Sequence, residues 1–217
     1  MQPLGIPAEL AGQPFTVAAA RAAGLSWKVL QSQRFISVAR GVYGRRDGDL
    51  SEASLIRGAL LTLPPRTLVT GVSGLRLLGV MVGSPEPLCF VTTHPRQVRR
   101  QGVRVTRVTM LPPNHGSVAV AEHCWVVAAQ TLTLLDLATA GDWLVRERLT
   151  TVAALQAYVG STSIRGVVSA RNAIGLVREQ VDSARESWLR LCLVSPDCRV
   201  RSATPLCRGF AGTGGWI

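Results

Sequence analysis

The chain is expected to fold as a mixed α/β (α+β) protein, and three observations carry that expectation. Stretches such as "RFISVARGVYGR" (34–45) and "GVRVTRV" (102–108) alternate apolar with polar residues, the two-residue period of half-buried strands. Ala- and Leu-rich runs of high helix propensity lie before, between and after them. Composition is that of a packed globule, 47% hydrophobic and only 17% charged over 217 residues, enough chain for a sizeable core in one to two domains. Clusters of Pro, Gly and charge divide it into residues 1–49, an α/β middle region 50–150, a helical segment 151–195 and an irregular tail 196–217.

The first segment holds the most explicit local code. In "VAAARAAG" (17–24) an Ala-rich helix is ended by Gly24, which takes the left-handed C-cap conformation readily. Ser26 is an N-cap residue, its hydroxyl placed for a free amide two or three positions on, and a second short helix follows from Trp27 to about Ser32. The alternating run 34–45, broken at Gly41, makes two short strands or a ribbon. Helix, Gly-containing turn, helix and ribbon is the order of a winged helix-turn-helix. In that geometry the second helix enters a DNA major groove by its N-terminal end and the ribbon flanks the backbone. Trp27, Lys28 and Gln31 are the exposed positions, with Val29 or Leu30 as the anchor. Gln31 can pair with adenine and Lys28 with phosphate or guanine, while Arg34, Arg40, Arg45 and Arg46 neutralise phosphates from the ribbon. Glu9 is the only acid before Asp47. The alternative is an inward Trp27 with the Arg residues as a solvated face.

Net charge agrees. Twenty-four Lys and Arg against 13 Asp and Glu give +11 and a pI near 11.0, the signature of a polyanionic partner such as double-stranded DNA or of an Arg-rich composition at large. Lys28 is the only lysine.

In the middle segment, "SEASLIRGALLTL" (51–63) reads as a helix stopped by Pro64 and Pro65. "TLVTGVSGLRLLGV" (67–80) reads as a strand end feeding a helix from Ser73, and "PLCFVTT" (87–93) and 102–108 as strands. Arg104 and Arg107 are expected to point outward and, with Arg96, Arg99 and Arg100, to form a patch for phosphate or an acidic protein partner. "EHCWVVAAQTLTLLDLAT" (122–139) is expected to give a buried strand and then a helix, with Asp136 a hydrogen-bonded structural group rather than a catalytic one. Thr150 or Thr151 caps "VAALQAYV" (152–159), which Gly160 stops, and Ser163 caps the run 164–181. Asp182 and Glu186 face Arg178, Arg185 and Arg190 as helix ion pairs.

Several classes are excluded. No apolar stretch reaches the ~18 residues of a membrane span, and "MQPLGIPAEL" lacks the basic and apolar regions of a signal peptide, so a cytoplasmic protein is expected. Five cysteines, Cys89, Cys124, Cys192, Cys198 and Cys207, form no C-x-x-C pair, and His123 and Cys124 would diverge on a strand, so no metal is expected. There is no nucleophile elbow and no phosphate-binding loop, hence no catalytic residue and no cofactor.

"PFTVAAARAAGLS", "RFISVARGVYGRR", "ALLTLPPRTLVTGVSGLRLLGV" and "VAAQTLTLLDLAT", in this order, resemble actinobacterial proteins that open with the AbiEi-type antitoxin winged helix. Gly24, Leu25 and Ser26 fill the place of the turn that starts the second helix, and Arg40, Gly41, Val42 and Tyr43 that of the motif closing the wing. The likeness extends to about Val194. It implies a regulator that represses its own operon in a type IV-like toxin–antitoxin system, the remainder facing a toxin that is often nucleotidyltransferase-like. "SARESWLRLCLV" (183–194), with Glu186, Leu189 and Arg190, looks like the opening helix of a Vsr-like, restriction-endonuclease-fold domain. Such a domain needs later Asp and Glu ligands for a divalent ion, yet no acid follows Asp197. The tail reads as a remnant, not a nuclease. A degenerate nuclease relative, or an interaction module with incidental charge, is the rival reading.

Overall fold

The computed structural model describes Leu10, residues 13–47 and residues 51–179. It is an α+β structure built on two sheets. The expectations for 182–190 and for the tail 196–217 lie outside the described residues.

The first sheet belongs to residues 13–47. Strand β1 (Phe15–Thr16) leads directly into α1 (Val17–Ala22), because the Thr16 hydroxyl accepts from the Ala19 amide at 3.1 Å. The helix ends where Gly24 turns left-handed at φ 81°, as Ala propensity followed by Gly dictates. Ser26 then caps α2 (Trp27–Leu30) by accepting from the Val29 amide. The hairpin of β2 (Phe35–Ala39) and β3 (Val42–Arg45) turns at Gly41, φ 78°. β1 pairs antiparallel with β3, giving the order β1-β3-β2. Two residues make too short a strand to show a period, so β1 left no trace in the pattern. Phe15, Ala20, Leu25, Leu30 and Phe35 fill a small core of their own, with Phe15 and Phe35 edge to face at 5.8 Å.

Helix α3 (Glu52–Leu60) is capped by Ser51 and leads to β4 (Thr67–Val69), α4 (Gly71–Leu77), β5 (Leu88–Thr92), β6 (Val103–Arg107), β7 (Asn114–His115) and β8 (Val118–Ala119). Helix α4 begins at Gly71, two residues ahead of the expected Ser73. The second sheet has the order β6-β5-β4-β8-β7, with β5–β6 and β4–β8 parallel and the other two neighbour pairs antiparallel. One face of this sheet packs Val69, Phe90, Val103 and Val105 against Ile56 and Ala59 of α3. Ser54 and Gly58, on another side of the same helix, are also buried. A Cβ on Gly58 would lie 2.8 Å from Val38 of β2 and 3.5 Å from Val42 of β3. Helix α3 is therefore held between the two sheets.

Residues 122–129 are corrected from strand to helix. α5 (Ala121–Ala128) is buried at Ala121, His123, Cys124, Trp125, Val126 and Ala128, and an element covered on nearly every side shows no period by which strand and helix differ. α6 (Leu134–Arg146) follows. Asp136 is a capping residue: its amide donates to Thr133 Oγ1 at 3.1 Å, and its carboxylate accepts from that hydroxyl at 2.9 Å. α7 (Val152–Ser161) runs past Gly160 and is capped by Thr151, the Thr150 hydroxyl being given instead to Glu122. α8 (Val167–Ile174) begins at Gly166, φ 99°, and not at Ser163. A Cβ on Gly166 would collide with the Val126 carbonyl oxygen, so the approach of α5 decides where this helix starts. Leu155, Val159, Ala170 and Ala173 share one cluster with Trp125, Leu137 and Leu144. The helices after residue 150 thus pack into the middle region.

His123, 5% exposed, meets the Tyr158 hydroxyl at 2.8 Å, and burial lowers its pKa from 6.5 to about 4. The folded state keeps the ring neutral while the unfolded chain protonates it. Stability should be full above about pH 6.5, fall by at most ~3 kcal/mol between pH 6.5 and 4, and level off below. Urea titrations at several pH values should show this slope, and His123→Gln should flatten it. Gly58→Val should cost about 2 kcal/mol or more by overpacking the seam between α3 and the hairpin, read as a lower urea midpoint.

Candidate nucleic-acid interface

Why α2 stands out from the surface follows from its two ends. Leu25 and Leu30, fully buried, pin the turn and the last helical residue to the small core, with Val29 half-buried beside them, so Ser26, Trp27 and Lys28 face out. Trp27 keeps 45% of its surface exposed, and Lys28 and Gln31 are exposed beside it. Positions 27 and 31 lie one turn apart on the same side of the helix, with 28 adjacent. The expected set of Trp27, Lys28 and Gln31 is thus brought together, and Val29 and Leu30 supply the anchor.

The hairpin is fastened to α2 and to the loop before β2. Trp27 meets Tyr43 of β3 edge to face, ring centroids 6.0 Å apart at 88°. The Arg46 amide donates to the Arg34 carbonyl and its Nε to the Gln33 carbonyl, both at 2.9 Å. The Val17 amide donates to Gly41 at the hairpin turn. Helix, turn, helix and hairpin therefore form one framework in which α2 and the β2–β3 ribbon are held side by side.

Charge on this framework is one-sided. Residues 13–47 carry Arg21, Lys28, Arg34, Arg40, Arg45 and Arg46 against Asp47 alone. Arg21, in the last turn of α1, is exposed and was not singled out by the pattern; its signal was a lone cation on the polar side of an Ala helix. Arg34, Arg40 and Arg46 are exposed. Arg45 is half-buried and already engaged, giving Nε to Asp47 Oδ1 at 2.9 Å and Nη2 to Oδ2 at 2.5 Å. That paired hydrogen bond holds the Asp47 carboxyl below its ordinary range. Among the described residues of this framework, Arg45 is the one cation in a salt bridge, so a phosphate must compete there with a carboxylate.

Arg96, Arg99, Arg100, Arg104 and Arg107 lie apart from this framework, on β6 and the connection that precedes it, and all five are exposed. Arg104 and Arg107 are separated by an odd number of residues and so leave β6 on opposite faces. Arg104 stands opposite Cys89 of β5 in a small groove with Thr70, Thr106 and Gln130. Burial pushes the Cys89 thiol up against the pull of Arg104, so it stays protonated at neutral pH. His123 and Cys124 occupy α5, one against Tyr158 and the other donating to the Ala119 carbonyl. Among the described residues no group of three or more His, Cys, Asp or Glu is placed to hold a metal ion, and no helix is long and apolar enough to cross a membrane.

A scan against protein-family models finds no match to this chain, and a search of curated proteins finds no similar one.

Proposed function

We propose that residues 13–47 act as a winged helix-turn-helix that holds double-stranded DNA, and that the chain works as a DNA-binding regulator without enzymatic activity. One observation carries this reading: an exposed Trp27–Lys28–Gln31 surface on α2, tied by the Trp27–Tyr43 contact to a hairpin with a large excess of positive charge. A helix that offers a long donor and an amide at its exposed edge can read major-groove edges, and cations beside it can clamp phosphates. In the proposed contact Ser26 sets the start of the reading helix, Lys28 and Gln31 face the bases, and Trp27 packs along the sugar–phosphate wall. Arg21, Arg34, Arg40 and Arg46 hold phosphates, and Tyr43 positions Trp27. The resemblance in motif order to AbiEi-type antitoxins supports a further step, in which the regulator represses its own operon and the rest of the chain faces a cognate, nucleotidyltransferase-like toxin.

Mobility shifts with the upstream DNA over a range of salt test the first step. Wild type is expected to bind with a log–log salt slope of about −0.9 for each phosphate neutralised. Lys28→Ala with Gln31→Ala should cut the preference for upstream over random duplex, while Arg34→Ala with Arg40→Ala should weaken both about equally. Binding unchanged in both pairs would remove the assignment of α2 and the hairpin. Asp47→Asn should have the opposite sign: by releasing Arg45 it should tighten binding several-fold and steepen the salt slope by about 0.9.

A further inference from the structure

The segment between β5 and the end of β6 has a charge pattern that the fold does not need. Residues 87–121, between Glu86 and Glu122, contain no acidic residue, and within that gap five arginines fall from position 96 to position 107. β6 is an edge strand, paired only with β5, and cations on an edge strand commonly serve to repel another strand. Arg96 and Arg99, however, stand before the strand, where there is no edge to guard, and Arg100 only bridges back to Val103 at its start. All five are exposed. Arg107 gives Nη1 to the Pro95 carbonyl at 2.7 Å and Arg99 gives Nη2 to Gln97 Oε1 at 3.4 Å; neither acceptor carries charge, and none of the five enters a salt bridge among the described residues.

We propose that Arg96, Arg99, Arg100 and Arg107 of this segment form a second contact to duplex DNA, a phosphodiester clamp that lies outside the helix-turn-helix and extends its footprint, while Arg104 leaves β6 on the other face; the inference rests on the reading of residues 13–47 as the DNA-holding part. Phosphate tracking requires only positive charge, whereas a protein partner normally gains its affinity from a desolvated aromatic or aliphatic centre. Residues 94–107 contain no Phe, Trp or Tyr, and no large apolar residue among them is exposed. The hairpin packs on one side of α3 and the second sheet on another, so both basic surfaces are carried by one packed body. A duplex well over one turn, about 34 Å, is the partner whose phosphates would extend from the first surface to the second.

Fluorescence anisotropy with two random-sequence duplexes tests this, one of about 12 and one of about 30 base pairs, so that only the longer exceeds one turn by a wide margin. The probe variant is Arg96→Ala/Arg99→Ala/Arg100→Ala, all at exposed positions, with its thermal midpoint compared with wild type. On the long duplex it is expected to lose about two to three units of salt slope and at least tenfold in affinity at low salt, and on the short one to match wild type. If wild type binds both duplexes and the variant matches it on both, the clamp is overturned while the reading of residues 13–47 stands. Wild type that binds neither duplex overturns both. A poly-glutamate peptide held by wild type and lost by the variant, with DNA binding intact, would reassign the surface to an acidic protein.

Discussion

Helix α3 is nine residues long and must satisfy two neighbours at once. Ile56 and Ala59 enter the apolar face of the second sheet, while Gly58 lies on the side that meets the β2–β3 hairpin. A side chain at position 58 would force the two layers apart, and glycine costs about 1 kcal/mol of helix propensity there. The backbone approach it permits offsets that loss, since Val38, Pro14 and Val42 can all close on the helix. The N-terminal end of the same helix is tied to α4 through the Glu52–Arg76 ion pair, and Arg76 also donates to the Val82 and Gly83 carbonyls. One helix thereby fixes where the exposed basic hairpin stands relative to the rest of the chain.

Polar groups placed inside the helical core do the corresponding task at the other end. The Trp125 indole donates to the Leu137 carbonyl at 2.8 Å, joining α5 to α6, and Asp142 of α6 accepts from the Arg178 amide at 2.7 Å, anchoring the segment after α8. His123 meets Tyr158, and Thr150 meets Glu122, so α5 is also bonded to α7 and to the turn before it. Each of these four contacts joins residues of different elements, whereas Thr139 Oγ1 and Trp143 Nε1 of α6 are buried without a hydrogen-bond partner among the described residues. Breaking one such contact leaves an unsatisfied group in an apolar surround, which costs more than the bond contributes. Helices α5, α6 and α7 are thus joined by hydrogen bonds as well as by their shared apolar core.

Much of the local structure could be read from the chain. Ser26, Ser51 and Thr151 cap where hydroxyls precede helices, Gly24 and Gly41 turn where the chain needs positive φ, and the alternating runs became β2, β3 and β6. The candidate interface was legible for the same reason: α2 is short, its cap is local, and its exposed residues follow from the burial of Leu25 and Leu30. Less legible were β1, β7 and β8, two residues each, and α5, whose burial on nearly every side erases the period. The engagement of Arg45 by Asp47 depends on side-chain geometry in a turn, and charge counting alone treats that arginine as free.

What the sequence determined by itself was the identity of the short-range elements, because caps, turns and propensities act over a few residues and need no distant partner. Tertiary structure decided the rest. Helix α8 starts at Gly166 because the α5 backbone lies against it; Arg104 and Arg107 diverge because β6 is laid in register on β5; and the N-terminal module stands where it does because α3 is packed on two sides. Each of these outcomes rests on contact between residues far apart in the chain, and such contacts exist only once the apolar faces have found one another.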